Sequence, residues 1–241
     1  MIALALDTTT DRLSVALRGA DGAVLERTLA GARQHAAALL PLIAGLLDEA
    51  GISLADVEQV AIADGPGGFT GLRVGAALVK ALVRSAPDGL AAFSASTLMV
   101  RAVGLAPPGG ARVLVVTSAL RGELYAASYQ IALPAGIETA MPPRLATVES
   151  LRHEAPDLLV ADAPEKLVDR LTDQFAVPLV RGSASLPRAS ALLSLIGVPG
   201  GATPIAHLDD WEPTYGRPAE AQARWEAAHG RALSDPAGNP R

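Results

Sequence analysis

Residues 65–75 spell GPGGFTGLRVG, and this stretch decides how the rest of the chain is interpreted. An apolar segment at residues 57–63 precedes it, and a second one at residues 70–83 follows, with small or aliphatic side chains on almost every face. The pattern predicts a buried strand, a loop of glycine and proline, and a helix, in that order. Because this helix is apolar nearly all round, it must be covered on more than one face.

Two interpretations of the glycine-rich loop stay open. The backbone N–H groups of such a loop, at the start of a helix, are able to bind an anion such as phosphate. The same small residues also suit a tight packing turn. A Walker A loop would end in Gly-Lys followed by Ser or Thr, whereas Gly71 is followed by Leu72 and Arg73. A P-loop nucleotidase is therefore not expected.

A polar turn, LDTTT at residues 6–10, ends the first apolar run of the chain. Its hydroxyl and N–H groups favour either a phosphate cradle or an ordinary turn in which side chains bond to nearby backbone. Turns at the carboxyl ends of neighbouring strands meet in one crevice, so we expect Asp7, Thr8 and Thr9 to lie close to residues 65–73. Asp7 would repel a phosphate unless a metal or another cation intervened. The chain alone is thus expected to bind a nucleotide weakly.

The hydrophobic pattern predicts similar elements twice. The first set contains three strands and a helix that ends before Gly51, at residues 2–6, 13–17, 23–29 and 36–50. A strand, a polar turn and another strand then recur at residues 112–117 and 123–130. Later segments predict a strand at residues 158–161 and helices at residues 165–175 and 188–196. Such a repeat indicates two related α/β lobes.

The domain limits follow from a change in composition. The sequence LAPPGGA at residues 105–111 has the composition of a linker. We therefore expect a first lobe at residues 1–104 and a second at residues 105–219. Residues 220–241 are polar and are predicted to form a helix that runs into a frayed tail.

Composition limits the classes of function. Hydrophobic residues make up 50% of the 241 residues and charged residues 19%, which is typical of a globular protein. The absence of cysteine excludes disulfides, thiolate metal sites and cysteine nucleophiles, and it indicates a reducing compartment, the cytoplasm. No signal peptide or membrane span is expected. A formal charge of -5 without a cluster of Lys and Arg argues against direct binding of RNA.

Catalytic motifs are not recognisable in the sequence. The four histidines are scattered without the i, i+4 spacing of a metal site. A Gly-x-Ser-x-Gly elbow is lacking, and the paired acids Asp209 and Asp210 favour a solvated turn. The residues alone therefore favour a binding protein over an enzyme.

Four segments together resemble the TsaB (YeaZ) family: LDTTT at residues 6–10, QHAAALLPLI at residues 34–43, GPGGFTGLRVG at residues 65–75 and EPTYGRPAEA at residues 212–221. Their order and spacing cover nearly the whole chain, and the third pattern is very specific for that family. The resemblance implies the two-lobed fold of actin, sugar kinases and heat-shock ATPases, in which each lobe has a ribonuclease-H-like core. This implied fold agrees with the predicted repeat.

The resemblance also implies a non-catalytic member that needs no metal. The catalytic paralogue TsaD carries a His-x-x-x-His metal pair where this chain has SASTLM at residues 94–99. In the family, TsaD transfers a threonylcarbamoyl group to the adenine at position 37 of tRNA, TsaB binds TsaD, and TsaE supplies ATPase activity. The chain is thus expected to activate TsaD, to join a ternary complex with TsaE, to form a homodimer when alone, and to meet tRNA only indirectly.

Two departures from the family pattern concern its turns. Gly68 replaces the usual serine of the glycine-rich loop, and Ser118-Ala119-Leu120 replaces an Asp-Ala-Arg turn in the second lobe.

The implied site residues form two groups. A nucleotide or phosphate loop is predicted at Asp7, Thr8, Thr9, Gly67, Gly68 and Arg73. A partner interface on two helices is predicted at Leu39, Ile43, Leu46, Phe69, Thr70, Gly71, Leu72, Val74 and Leu78. No cofactor is required by the chain alone, whereas ADP or ATP is expected at the junction with TsaD. The alternative hypothesis is an enzyme of the same fold, either an ATP-dependent phosphotransferase or a glycoprotease-like peptidase.

Overall fold

Two β-sheets with flanking helices form the frame of the chain. The computed structural model describes residues 1–31, 34–86, 89–119 and 122–215. The first part of the chain forms β1 (Ala3–Asp7), β2 (Arg12–Arg18), β3 (Val24–Ala30), α1 (His35–Ala50), β4 (Gln59–Ala63), α2 (Phe69–Ser85), β5 (Ala91–Ala95) and α3 (Thr97–Leu105). The rest forms β6 (Ala111–Ser118), β7 (Leu124–Ala132), β8 (Gly136–Ala146), β9 (Leu158–Asp162), α4 (Glu165–Phe175), β10 (Leu179–Arg181), α5 (Ala189–Leu193) and β11 (Thr203–Pro204).

The two sheets share one topology. The strand order is β3-β2-β1-β4-β5-β11 in the first sheet and β8-β7-β6-β9-β10 in the second. In each sheet the first three strands in sequence pair antiparallel, and the next two run parallel to the first of them. This arrangement is that of a ribonuclease-H-like core. It confirms the predicted repeat and the α/β fold with two ribonuclease-H-like lobes.

Side-chain size alternates along β1, and the alternation places helices on both faces of the first sheet. Leu4 and Leu6 belong to a core cluster with α1 and α2, whereas Ala3 and Ala5 belong to another with α3 and α5. Successive residues of a strand point to opposite faces, so each face receives one kind of side chain. The alanines leave room for α3 and α5 to lie close to the sheet.

The helices α3 and α5 also join the two lobes. α3 contacts β6 and β7 of the second sheet, and α5 contacts β1, β2 and β4 of the first. One continuous core cluster includes Ala5, Leu98, Val115 and Leu192, which come from both sheets and both helices. The lobes therefore share a buried apolar interface.

The two helices that the sequence predicts most clearly are confirmed. α1 ends at Ala50, and Gly51 follows it with a φ of 66°, the left-handed conformation that glycine adopts easily at a helix end. α2 begins at Phe69, directly after the glycine-rich loop. None of the helices in the described ranges combines the length and the apolar character needed to cross a membrane.

Several elements were not predicted, namely β5, α3, β8, β10 and β11. β8 contains Pro142 and Pro143, which disfavour a strand assignment, but it lies at a sheet edge where a missing N–H group is tolerated. β10 and β11 are too short to show a clear hydrophobic periodicity. α3 is buried on nearly all sides, so its sequence does not show the alternation of apolar and polar residues typical of a surface helix. The helix predicted at residues 188–196 is confined to Ala189–Leu193. The helix and tail predicted at residues 220–241 lie outside the described residues.

The chain returns to the first sheet after β10. α5 packs on that sheet, and β11 pairs antiparallel with β5. The division into residues 1–104 and residues 105–219 stays a prediction about domain limits. By contact, residues 189–204 belong with the first sheet.

Glu26 attaches this returning segment to the first sheet. Its carboxylate accepts hydrogen bonds from the Arg188 guanidinium at 2.6 Å and 3.0 Å, and from the backbone and hydroxyl of Ser190 at 3.2 Å and 3.0 Å. The Ser14 hydroxyl donates to it at 2.8 Å. Burial alone would raise the pKa of Glu26, but these hydrogen bonds outweigh burial and hold the pKa below its ordinary value.

We predict that Glu26→Gln lowers the free energy of unfolding by about 1–3 kcal/mol, because it removes the charge that satisfies these donors. Since the folded state depresses the pKa of Glu26, its contribution is fully present above the unfolded pKa and is lost as the pH falls through the folded pKa. The stability difference between the wild type and Glu26→Gln should therefore shrink in acid. Urea unfolding at neutral and acidic pH measures it, with the exposed Glu138→Gln as control. A difference that does not change with pH would contradict the assignment.

Candidate functional site

The glycine-rich loop packs directly on the polar turn after β1. A Cβ atom at Gly67 would lie 2.5 Å from the carbonyl oxygen of Thr9, and one at Gly71 would overlap the carbonyl oxygen of Thr8. The backbone N–H of Gly68 donates to the Thr9 carbonyl at 2.7 Å. The predicted proximity of the two segments is therefore confirmed, and it takes the form of backbone-to-backbone contact.

The side chains of the polar turn bond to one another and to the glycine-rich loop, except that Oδ2 of Asp7 is buried without a hydrogen-bond partner among the described residues. Thr8 donates its hydroxyl to the Gly71 carbonyl at 2.7 Å, and both the hydroxyl and the N–H of Thr9 donate to Asp7 at 2.9 Å. All three residues are buried. Burial raises the pKa of Asp7 against the smaller, opposite effect of the Thr9 hydrogen bonds. Asp7 and Thr8 are enclosed by the protein as it is folded, whereas Thr9 also lines the cleft described below, and the assignment of these three residues to phosphate binding stays a prediction.

Residues 94–99, where TsaD is expected to carry its histidines, hold the glycine-rich loop from the other side. Ser96 donates its hydroxyl to the Gly65 carbonyl at 3.2 Å, and the same carbonyl accepts the N–H of Thr97 at 2.8 Å. The N–H of Gly65 in turn donates to the Thr97 hydroxyl at 3.2 Å. This stretch therefore serves as a support for the loop.

An aromatic and cationic cluster lies at the first turn of α2. The rings of Phe69 and Tyr215 are 5.0 Å apart, and the Arg73 guanidinium lies 4.2 Å from the centre of the Phe69 ring and 5.9 Å from that of Tyr215. Lys80 and Arg84 on the same helix form ion pairs with Glu212 and Asp209. Within the described residues, Arg73 has no such carboxylate partner. Its position is fixed by the two rings.

A cleft with a cavity of about 380 Å³ separates the two lobes. Gly67, Gly68 and Thr10 line it from the first lobe, and Ser118 and Asp162 line it from the second. Arg101 of α3 also lines the cleft and forms an ion pair with Asp162 at 2.9 Å. Sequence reasoning missed Arg101, although a single charged residue inside an apolar helical stretch is a recognisable signal of a buried interaction.

Most polar side chains of the cleft bond to other protein groups at the place where the fold class would suggest a nucleotide and its metal ion. The hydroxyls of Thr10 and Ser118 donate to the carbonyls of Arg12 and Ala119. Asp7 is buried, and Asp162 is paired with Arg101. The hydroxyls of Thr10 and Ser118 and the carboxylate of Asp162 are thus used within the protein, whereas Asp11, which also lines the cleft, is exposed and forms no ion pair among the described residues. Across the described ranges, no group of three or more His, Asp or Glu side chains is placed to hold a metal ion.

The predicted partner interface needs a correction. Leu39, Ile43 and Leu46 are buried in the core cluster of the first sheet, and Gly71 and Leu72 are buried beside Thr8 and Gly65. They are not available to a partner as the chain is folded. Phe69 and Thr70 are exposed, and Val74 and Leu78 are half-buried.

The opposite faces of α1 and α2 are exposed and still largely apolar. We call this face the α1/α2 surface, and it consists of Ala36, Ala37, Leu40, Pro41, Ala44, Gly45, Phe69, Thr70, Ala77 and Ala81. Leu40 is 56% exposed and Phe69 is 38% exposed. Both helices lie on the same side of the first sheet, since they share a core cluster with Leu4 and Leu6.

Two ribonuclease-H-like lobes that share a core define the class of this protein, the fold of actin, sugar kinases and heat-shock ATPases. Comparison with known proteins narrows the class to one family. The family model described as "TsaD: tRNA N6-adenosine threonylcarbamoyltransferase" matches residues 28–176. YeaZ from Pseudomonas aeruginosa has a similar structure, with a TM-score of 0.67 and 32% identity over 82% of this chain and 92% of that one. The chain belongs to the TsaB (YeaZ) family.

Relatives with the TsaB name match to different extents. The chain is 40% identical to the tRNA threonylcarbamoyladenosine biosynthesis protein TsaB of Escherichia coli (strain K12), over 53% of this chain and 54% of that protein. It is 27% identical to the protein of the same name from Bacillus subtilis (strain 168), over 93% of this chain and 98% of that protein. The match thus spans about half of the Escherichia coli protein and nearly all of the Bacillus subtilis protein.

We predict that Gly71→Ala destabilises the fold by about 1–3 kcal/mol or more, because the added methyl group overlaps the backbone of Thr8. Gly45→Ala is the matched control, since Gly45 also lies inside a helix but has open space around it. That control should gain up to about 1 kcal/mol from helix propensity. Thermal unfolding measures both variants, and equal melting temperatures for the two would contradict the packing role of Gly71.

Proposed function

We propose that the chain is a non-catalytic scaffold in the biosynthesis of N6-threonylcarbamoyladenosine at position 37 of tRNA, where it binds and activates TsaD. The observation that carries this proposal is the exposed, largely uncharged α1/α2 surface. The family membership supports the assignment to this pathway, and TsaD as the direct partner is part of the proposal. TsaE joins the complex of the two proteins.

The chemistry of the surface supports a protein partner. Contiguous exposed apolar patches mark interaction sites on soluble proteins. Alanine, glycine and proline on α1 leave a flat face on which another helix is able to pack closely. Of the charged residues on α2, Lys80 and Arg84 are neutralised by Glu212 and Asp209, and Arg73 lies against the rings of Phe69 and Tyr215. When TsaD is absent, a second copy of the chain covers the same surface, which gives a homodimer.

The remaining parts of the proposal follow from the site and from charge. The polar turn, the glycine-rich loop and residues 94–99 bond to one another, which supports a structural use of the segments that would bind ligands in an enzyme. The chain carries a formal charge of -5, so a phosphate backbone is not attracted to it. We infer that tRNA meets TsaD and reaches this chain only indirectly.

We predict that Leu40→Glu weakens the binding of TsaD at least about tenfold, because it places a charge in the centre of the apolar contact. Leu145→Glu is the matched control, since Leu145 is 46% exposed on β8, far from the α1/α2 surface in the topology. Calorimetry with purified TsaD measures affinity, and circular dichroism confirms that each variant is folded.

The function is tested in a reconstituted tRNA modification reaction. Product formation should require the wild-type chain, fall with Leu40→Glu and remain normal with Leu145→Glu. Modification that proceeds equally well without the chain would disprove the activator role. Steady-state ATP turnover by the isolated chain would disprove the non-catalytic role.

We further propose that ADP or ATP binds at the junction with TsaD, with Arg73, Gly67 and Gly68 contributed by this chain. These three residues are exposed, and Arg73 is oriented by its two rings without a carboxylate partner among the described residues. Such a guanidinium is ready to meet an anion. The chain alone lacks the residues that TsaD contributes to this site, and it requires no cofactor.

We predict that the complex with TsaD binds ADP or ATP more tightly than the isolated chain does. Arg73→Ala should weaken that binding about tenfold, which corresponds to the loss of one charge-assisted hydrogen bond. Arg84→Ala is the control, because Arg84 is an exposed cation of the same helix that is already paired with Asp209. Calorimetry on the complex and on the isolated chain decides the point: equal affinities, or no effect of Arg73→Ala, would show that this loop serves packing only.

A further inference from the structure

The connection that brings the chain back from the second sheet to the first is held by two arginines of the first lobe. We call residues 182–188, between β10 and α5, the return segment. Arg12 of β2 donates to the carbonyls of Leu186 and Pro187, each at 2.9 Å, and to that of Ser183 at 3.3 Å. Three carbonyl groups of the return segment are thus bound by one guanidinium.

Arg101 of α3 makes a second set of bonds across the cleft. It is only 3% exposed, and it donates to the Ser185 carbonyl at 3.1 Å and to the Asp162 carboxylate at 2.9 Å. Asp162 ends β9 of the second sheet. Arg101 therefore contacts both the return segment and the strand end of the opposite lobe.

The charges around this position favour one arrangement of the lobes. Burial raises the pKa of Asp7, and the nearby charges of Arg101 and Arg12 lower it by a smaller amount. A rotation of one lobe would break the bonds to the return segment and would leave the Arg101 cation buried without its partner. An unpaired buried charge is strongly unfavourable. The shared apolar core of α3 and α5 resists the same rotation.

We propose that Arg12 and Arg101 lock the return segment, so that the two lobes keep one relative orientation and do not close on a ligand. The lock is a conformational device that is independent of the proposed partner. It makes the molecule a rigid body in which the cleft contains a protein cation, Arg101, opposite the carboxylate of Asp162.

The absence of cysteine makes a direct distance measurement simple. Asp48→Cys on α1 and Asp169→Cys on α4 provide one spin-label site in each lobe, and both positions are exposed. Pulsed electron paramagnetic resonance on the doubly labelled full chain should show one narrow distance peak. The peak should not shift when magnesium and ATP are added. A broad distribution, or a shift with magnesium and ATP, would overturn the proposal.

The arginines are then removed in the same labelled background. Arg12→Met combined with Arg101→Met should cause loss of the single narrow peak, whereas Arg112→Met should retain it. Arg112 is a suitable control because it is a half-buried arginine whose partners, Glu154 and Ser128, lie in its own lobe. A double variant with an unchanged peak would overturn the proposal.

A second measurement covers the case in which the double variant does not fold. Arg12→Met alone alters a partly exposed side chain, and amide hydrogen exchange in the return segment reports the lock. Exchange at the amides of residues 183–186 should increase in Arg12→Met relative to the wild type and to Arg112→Met. Unchanged exchange at these residues would count against the lock.

Discussion

The contact between the backbone of α2 and the turn after β1 determines how the first lobe is arranged. Gly71 lies against the carbonyl of Thr8, and the Thr8 hydroxyl returns a hydrogen bond to the Gly71 carbonyl. Because any side chain at Gly71 would separate the helix from the turn, the helix axis, the loop before it and the end of β1 are fixed together. The exposure of Phe69 and Arg73 at the first turn of α2 follows from this position.

The same contact explains how a fold shared with ATPases supports a binding role. In this chain the hydroxyls of the polar turn donate to nearby protein groups, and the cleft contains the ion pair of Arg101 and Asp162. Groups that are saturated within the protein contribute to stability but are not available to a ligand. The recognition surface that we propose is the outward side of the helices α1 and α2, where the exposed side chains are mostly small and apolar.

Sequence patterns predicted most of the fold and only part of the site. A strong helical periodicity and a glycine after the last turn were sufficient to predict α1. The repeated strand pattern was sufficient to predict two related lobes. The pattern could not separate the two sides of α1, because Leu39 and Leu40 are chemically equivalent and only the tertiary fold makes one buried and the other exposed. The ion pair between Arg101 and Asp162 joins residues that are 61 positions apart, and no local rule connects them.

The return of the chain to the first sheet has a consequence for synthesis on the ribosome. Domains usually fold in the order in which they emerge. Strands β6 to β10 are contiguous in sequence, so the second sheet is complete as soon as Arg181 has left the exit tunnel. The first sheet, although it begins the chain, still lacks the cover of α5 and the edge strand β11 at that moment. The lobe that is translated first is therefore the last to complete its fold. Its alanine-lined face stays uncovered until residues 189–204 have been synthesised.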